Sequence, residues 1–596
     1  MVTVSSQVTE RFRQQNSRLA IAAVVLTLLM ATSAASTAAT GSSEGVTSSE
    51  NPWSVERDEA ADIQIPGVSE RPLSAEEGPR VVVSQFDLDI DSGLGAALGE
   101  ERLAAMRALV ESRRSSDQRA DGLTIGQMEE IASSLTEYLR NNDFIVAYAY
   151  IPTQDVKGGR VTIGVLGGRL GNVIVEGNSI LSDERITLPF NDLIGRPLQK
   201  GDVESAILFV RDYPGVAPSA VLSPGDAVGT TDLTLRVLEQ RFDVALTVDN
   251  YGTDATGEGR VRLNVVFNNP LKRGDRLDLN ILQTFSPAEG TYGGGSYEMP
   301  IGAGGFSTGV LYNTNTFDAE GAGIKLGGES QIGAVFAKQK IIRQRQMNFD
   351  VFGDLSFKNS KFDALGGIGD DPEDKLTVLT LGANFEAVDR LGLLGVNSIN
   401  FSYHHGFDDF LGSMDSDGDG RSSRLGGSGE RAGGDFDKVT ARYQRLQQIT
   451  PANALIFRAF GQYSDDLLTS LEQMSMGGPY TVRAYPVAEF LVDRGYFGSV
   501  DYQLNLSSLM SSVSDDWDIN LGLFYDYAYG QNEDPLGSER SNVALGGPGA
   551  GFQVEYRWGA GYGVLLRVEA AWQVSGPEQS DGDDPQIWVR LELFRR

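Results

Sequence analysis

The sequence predicts an all-β membrane protein, a 16-stranded transmembrane β-barrel, preceded by two small α+β domains. From residue 241 to 596, apolar and polar side chains alternate in segments of roughly ten residues, the period of a strand with lipid on one face and water on the other. The connections between those segments are alternately short and long, as the two sides of an outer membrane demand. Upstream, one order of elements (strand, helix, helix, strand, strand) occurs twice, and this repeat predicts the two domains.

Taken in chain order, Arg11, Arg13 and Arg18 precede the apolar run Leu19 to Met30 and the small-residue stretch Ala31 to Ala39. This pattern predicts a cleavable export signal over 1–40, because the apolar run falls short of the roughly 20 residues a membrane-spanning helix needs. A polar linker covers 41–79. In the first domain, 80–167, Val81 to Ile90 reads as a strand, and Leu103, Met106 and Val110 recur at helical spacing. Thr124 and Gln127 then form a capping box ahead of Met128, Ile131, Leu135 and Tyr138 on one helix face. Strands near Ile145 to Ile151 and Arg160 to Val165 complete the domain. The second domain, 168–240, repeats the order with strand Asn172 to Glu176, helices Ser182 to Leu188 and Asp202 to Asp212, and strands Ser219 to Leu222 and Thr231 to Val237.

Within the barrel, 241–596, strands are predicted to start near residues 242, 259, 275, 293, 304, 329, 347, 374, 393, 436, 453, 496, 517, 544, 562 and 585. The count is even, as closure of a bacterial barrel requires. The thirteenth is the clearest: Ile519, Leu521, Leu523, Tyr525, Tyr527 and Tyr529 share one face, while Asp518, Asn520, Gly522, Asp526 and Gly530 share the other. Elsewhere Phe242, Val244, Leu246 and Val248 alternate with Asp243 and Asp249, and Val564, Leu566, Val568 and Trp572 with Arg567, Glu569 and Gln573. The lumen is thus expected to be polar and charged. Short turns fall at Asn269 to Gly274, Arg343 to Met347, Ala387 to Leu393 and Thr450 to Asn453; long outer loops fall at Thr316 to Gly328, Lys358 to Lys375, Phe407 to Asp435 and Asp465 to Gly495.

Composition narrows the function classes. A formal net charge of −31 repels nucleic acid, and the absence of cysteine removes disulfides and thiolate metal sites. The 71 glycines in 596 residues resemble neither a disordered chain nor a helical membrane protein.

Several motifs together resemble a known family. The upstream domains contain Ala147-Tyr148-Ala149-Tyr150-Ile151-Pro152 followed by Gln154, then Gly167-Gly168-Arg169-Leu170-Gly171 and Val175-Glu176-Gly177-Asn178. These resemble the paired polypeptide-transport-associated (POTRA) domains of two-partner secretion transporters. The long loop 465–495 contains Gly477-Gly478-Pro479-Tyr480-Thr481-Val482-Arg483-Ala484-Tyr485-Pro486, similar to the V-R-G-Y/F loop motif of the POTRA-plus-barrel superfamily. Its continuation Asp493-Arg494-Gly495-Tyr496 and the first turn, Asn269 to Asp275, resemble the haemolysin secretion/activation family, ShlB/FhaC/HecB. The resemblance implies that this loop folds into the barrel and that its arginine meets an aspartate of an F-x-D-x-G motif on strand thirteen. Arg483 and Asp526, in Phe524-Tyr525-Asp526-Tyr527-Ala528, are the matching positions, with Gly477, Gly478, Val482, Ala484 and Tyr485 as the surrounding loop motif. The role implied is a conformational lock, not catalysis. Ala484 and Ala528 depart from the family glycines, which puts the placement of the loop tip in question.

Other sites are weaker. Asp415, Asp417 and Asp419 resemble the opening of a calcium loop, but Gly426 stands where the closing glutamate belongs, leaving a solvated acidic loop as the alternative. His404 and His405 are adjacent on a strand, so their side chains should diverge. No cofactor motif, metal cluster or catalytic triad is readable. The resemblance implies an outer-membrane transporter that secretes and activates a large unfolded exoprotein, with its POTRA domains in the periplasm and a pore needing no ATP. Expected partners are that exoprotein, outer-membrane lipid and, during biogenesis, the barrel assembly machinery, with Phe594 as the terminal aromatic. An insertase of barrel proteins is the alternative, and the exoprotein's substrate-binding residues within the POTRA domains are not identified by sequence.

Overall fold

Sixteen antiparallel strands close into a barrel in chain order, the last pairing with the first. The computed structural model describes residues 63–64 and 74–596 apart from 228, 254–256, 286–288, 322–323, 364–370, 511–513, 515, 538 and 560. The expected export signal and most of the linker lie outside these residues. The barrel strands are β1 (Phe242–Asp249), β2 (Gly259–Asn268), β3 (Arg276–Phe285), β4 (Glu289–Ile301), β5 (Phe306–Gly321), β6 (Ile324–Arg343), β7 (Met347–Asp363) and β8 (Glu373–Asp389). They continue as β9 (Gly395–Gly406), β10 (Phe436–Thr450), β11 (Asn453–Tyr463), β12 (Arg494–Asn505), β13 (Trp517–Gln531), β14 (Asn542–Trp558), β15 (Tyr562–Ala571) and β16 (Gln586–Arg595).

Each strand starts within a few residues of its predicted position, because the lipid face imposes the alternation that the sequence displays. On β13, Leu521, Leu523 and Tyr525 are exposed to the outside of the barrel, while Phe524, Asp526 and Ala528 are buried within it. Two expected outer loops are corrected. The described residues of 316–328 are all strand, and 358–363 and 373–375 extend β7 and β8: β5 and β6 pair as far as Gly321 and Ile324, and β7 and β8 pair as far as Lys361 and Glu373. Above the bilayer a hairpin has no lipid face, so its backbone ladder continues after the hydrophobic period stops. The connection 506–516 between β12 and β13 is also longer than a tight turn. Phe594, expected as an assembly aromatic, is 7% exposed and lies on the inner side of β16, where Leu591 and Leu593 take the outer face.

The first upstream module folds as strand Gln85–Ile90, helix α1 (Ser92–Asp117), helix α2 (Ile125–Asn141) and strands Tyr148–Tyr150 and Arg160–Leu166. Thr124 caps α2 through its hydroxyl on the Gln127 amide, and Gln127 returns the bond to the Thr124 amide, which fixes the entry of the chain into the helix. Met128, Ile131 and Leu135 then pack with Met106, Val110, Ile163 and Val165. Strand Tyr148–Tyr150 is an edge of the three-stranded sheet, and its two tyrosine rings stack 6.2 Å apart, with the residues 40% and 36% exposed. Gln154 pairs with both the amide and the carbonyl of Thr162, at 2.8 Å each, and so ends that edge.

The second module repeats the plan with strand Arg169–Glu176, helices α3 (Asp183–Thr187) and α4 (Lys200–Arg211), and strands Val216–Pro224 and Thr230–Glu239. Against Val216–Pro224 runs an added parallel strand, Ile63–Gln64, from the segment expected to be linker. Glu239 holds the turn after Glu176-Gly177-Asn178 by accepting from the amides of Ser179, Ile180 and Leu181 at 2.5, 2.6 and 2.9 Å. Burial pushes the Glu239 carboxyl up, but these amides outweigh burial and hold it below the usual glutamate range. Its stabilisation is therefore complete above that range and lost as pH falls through the lowered value. Glu239→Gln should speed amide hydrogen exchange at Ser179 to Leu181 at neutral pH, with the difference from wild type vanishing in acid.

This module is fastened to the inner turns of the barrel. Asp212, at the end of α4, accepts from Lys340 Nζ at 2.6 Å and from Arg343 Nη2 at 2.7 Å, and the Asn269 amide reaches the Pro214 carbonyl at 2.7 Å. Asp212→Ala is expected to loosen the arm: distance distributions between spin labels on α4 and β6 should broaden, with the amount of folded barrel unchanged.

Candidate functional site

Between β11 and β12 the chain leaves the wall, enters the barrel and returns, carrying a small hairpin of Met474–Met476 and Phe490–Val492. The apolar residues Met476, Val482, Tyr485 and Val492 pack with Phe497, Phe524, Ala528 and Leu545 of the lumen wall. Gly477 and Gly478 adopt φ of 107° and 102°, which turn the hairpin into the tip, and a Cβ at Gly477 would lie 2.3 Å from the Pro486 carbonyl oxygen. Thr481 closes the turn by bonding both the amide and the carbonyl of Gly477.

The tip presents Arg483 to β13. Its Nε and Nη2 donate to the two carboxylate oxygens of Asp526 at 2.7 and 2.8 Å, and its backbone amide donates to the same carboxylate at 3.0 Å. The structure thus brings the two candidate residues together in a bidentate pair, with neither side chain exposed. Asp526 reaches the tip because alternation on β13 turns it inward beside Phe524, whose ring centre is 3.3 Å from the guanidinium carbon.

Sequence reasoning missed several members of the cluster. Arg483 Nη1 also pairs with Asp501 of β12 at 2.8 Å and Glu569 of β15 at 2.9 Å, and Ser499 accepts from Nη2 at 3.2 Å. Arg567 pairs with Glu569 at 2.8 Å, and Arg458 lies 3.5 Å from Asp501. Three arginines therefore face three carboxylates. Inward alternation had marked Glu569 as a lumen residue, but which inward residues meet depends on the stagger of the strands and on the inserted loop.

The two alanines that replace family glycines fit this arrangement. Ala484 and Ala528 are fully buried, and the Ala484 methyl lies over Gly547, the cross-strand partner of Asp526. Left-handed φ in the tip falls on Gly477, Gly478 and Ala488. Further bonds hold the tip to the last strands: Trp588 Nε1 donates to the Arg483 carbonyl at 2.7 Å, Tyr485 Oη donates to the Ser575 carbonyl at 2.8 Å, and Ser580 Oγ donates to Glu489 at 2.6 Å.

The base of the loop is clamped separately. Glu472 sits between Lys358 of β7 and Lys438 of β10, 2.6 Å from each. Asp493 accepts both terminal nitrogens of Arg424 at 2.5 and 2.9 Å and the amides of Leu468 and Glu533, tying together the outer connections 407–435, 464–493 and 532–541.

The remaining candidates are dispersed. Asp415 accepts from the amides of Asp417 and Asp419, and Asp419 from that of Asp415, so their oxygens serve the loop's own backbone. Among the described residues no cluster of three or more His, Asp or Glu is arranged to hold a metal ion. His404 turns inward between the hydroxyls of Thr380 and Thr440, each 3.2 Å away, while His405 turns outward to Asp437 at 3.0 Å.

A closed barrel with two α+β modules on its inner side and a loop fastened in its lumen defines a polypeptide-transporting outer-membrane protein. Residues 229–554 match the haemolysin secretion/activation protein family ShlB/FhaC/HecB, and the chain belongs to that family. Residues 102–168 match the ShlB-type POTRA domain. Among curated relatives, the heme/hemopexin transporter protein HuxB of Haemophilus influenzae (strain 86-028NP) is 25% identical over 454 residues, 72% of this chain and 75% of that one. The outer membrane transporter CdiB of Dickeya dadantii (strain 3937) is 22% identical over 476 residues, 78% and 80% of the two chains. The fold is that of two solved structures. CdiB from Escherichia coli has a TM-score of 0.66 at 21% identity, covering 89% of this chain and 92% of its own. CdiB from Acinetobacter baumannii has 0.60 at 17%, covering 95% and 99%. The chain is an outer-membrane transporter of the two-partner secretion type, working with a secreted exoprotein, and its POTRA domains lie in the periplasm.

Proposed function

We propose that this transporter secretes one large, unfolded exoprotein of the haemolysin or adhesin type, and that Arg483 and Asp526 lock the lumen loop in its transport-competent position without catalysing a reaction. The observation that carries the lock is the bidentate, fully buried Arg483–Asp526 pair, further held by Asp501 and Glu569. A guanidinium with three carboxylates has one strongly preferred placement, so the loop has one defined seat in the lumen.

Reception of the exoprotein falls to the sheet edges of the periplasmic modules, where an extended segment adds as a strand through main-chain hydrogen bonds. Two observations support this reading. Strand Tyr148–Tyr150 is an edge with partly exposed aromatic rings, and the edge Val216–Pro224 already carries an added strand. Outer-membrane lipid contacts the exposed apolar face of the strands, and the barrel assembly machinery inserts the protein during biogenesis.

The test compares wild type with a deletion strain for proteins in the medium, periplasm and outer membrane. Loss of one large protein from the medium, with other barrels unchanged, is expected. A general fall of outer-membrane barrels would instead make the chain an insertase.

A further inference from the structure

At the periplasmic ends of its strands, the outer face of the barrel carries a row of aromatic rings. Trp517 opens β13, Tyr556 and Trp558 close β14, Tyr562 opens β15, Phe242 opens β1, and Phe267 lies near the end of β2. Trp517 and Tyr556 lie 4.5 Å apart, Tyr556 and Trp558 5.8 Å, and Trp558 and Tyr562 6.4 Å, while Phe242 is the cross-strand partner of Phe267. Such a row marks the depth of the lipid headgroups. At the same level β16 places a cation in it, Arg595.

Alternation on β16 turns Leu591, Leu593 and Arg595 to the outside and Glu592 and Phe594 to the inside. The Arg595 guanidinium carbon lies 4.5 Å from the centre of the Phe242 ring and 5.7 Å from that of the Tyr562 ring, so rings from the strands on either side flank it. A ring attracts a guanidinium through its face but gives the N–H groups no oxygen to bond. Among the described residues the Arg595 side chain makes no hydrogen bond or ion pair. Other arginines nearby do pair. Arg590 and Arg596 reach the inward Glu592 at 2.5 and 3.2 Å. Arg445, outward near the periplasmic end of β10, pairs with Asp389 at 2.7 Å and donates to Asn397 at 2.6 Å.

We infer that Arg595, with Phe242 and Tyr562, forms a binding site for one anionic phospholipid of the periplasmic leaflet, of the phosphatidylglycerol class. The phosphate takes the guanidinium, as planar forked donors favour. The acyl chains run over the exposed Leu591, Leu593 and Leu246 on the two sides of the seam where the last strand meets the first. Charge decides the headgroup. A zwitterionic lipid brings a cationic group along with its phosphate, and this site has a cation and no carboxylate to balance it. Depth decides the leaflet, because the flanking rings stand at the periplasmic ends of their strands. The inference rests on the lipid contact proposed above and narrows it to one headgroup at one place.

Native mass spectrometry of the delipidated, detergent-purified transporter tests this, with dioleoyl phosphatidylglycerol and dioleoyl phosphatidylcholine added in turn. Wild type is expected to retain one phosphatidylglycerol at least about fivefold more tightly than phosphatidylcholine, equivalent to roughly 1 kcal/mol. Arg595→Gln should remove that preference, and Arg445→Gln, whose arginine is already paired, should keep it. Equal retention of the two lipids, a preference that survives Arg595→Gln, or its loss in both variants would overturn the inference. Retention of neither lipid would overturn the lipid contact as well. Displacement of the lipid by millimolar inorganic phosphate would make this a site for free phosphate instead. A second measurement needs no variant: phosphatidylglycerol with a photoreactive group near its headgroup should label wild-type peptides containing Phe242, Tyr562 or Arg595. Labelling spread evenly around the barrel would overturn the inference. So would unchanged lipid binding by Arg595→Gln with less folded barrel in cells, which would assign Arg595 to assembly.

Discussion

Arg483→Ala is expected to lower exoprotein in the medium by at least about tenfold, with the barrel still present and folded in the outer membrane. Removing one member of a buried ion pair costs roughly 3 to 5 kcal/mol, and less where water enters the lumen. Here the loss leaves Asp501, Asp526 and Glu569 facing only Arg458 and Arg567, and it also removes the guanidinium stacked on Phe524. Arg483→Lys keeps the charge but cannot fork onto both oxygens of Asp526, so its secretion should lie between wild type and alanine. Asp526→Ala combined with Arg483→Ala should cost less than the sum of the single changes, since both remove one interaction. Secretion assays with outer-membrane fractions and heat-modifiable gel mobility check all three. Normal secretion by Arg483→Ala would remove the lock from the mechanism.

Glu472→Ala should act at the outer mouth. Lys358 and Lys438 both lose their carboxylate and remain as neighbouring ammonium groups, 10% and 8% exposed, that repel one another. The base of the loop is then released from β7 and β10 while its tip stays on β13. Single-channel recordings in planar bilayers should show more frequent and larger openings than wild type, and protease added to intact cells should cut the loop faster. Secretion should fall less than in Arg483→Ala. Glu472→Gln retains hydrogen bonding without charge and should give an intermediate conductance. Unchanged currents and cleavage would mean that the clamp does not control the mouth.

The barrel was legible because lipid enforces a two-residue period on each strand where it crosses the membrane. Where β5 to β8 rise above it, at Asp318 or Lys361, that pressure disappears and strands read as loops. The same limit applied inside. Arg483 and Asp526 could be matched through motifs, whereas Asp501, Ser499 and Glu569 are simply inward residues until the register brings them to one guanidinium. The doubt raised by Ala484 depended on a residue far along the chain, Gly547, whose missing side chain receives the extra methyl.

The cluster around Arg483 carries three positive and three negative groups in close contact, and so has no net charge of its own. Its attraction acts over contact distances well inside a Debye length, with its carboxylates almost wholly shielded from solvent. An outer-membrane protein faces whatever ionic strength its surroundings impose. A fastening built this way keeps its hold in dilute and saline media alike, so the seat of the loop is insulated from the salinity outside the cell.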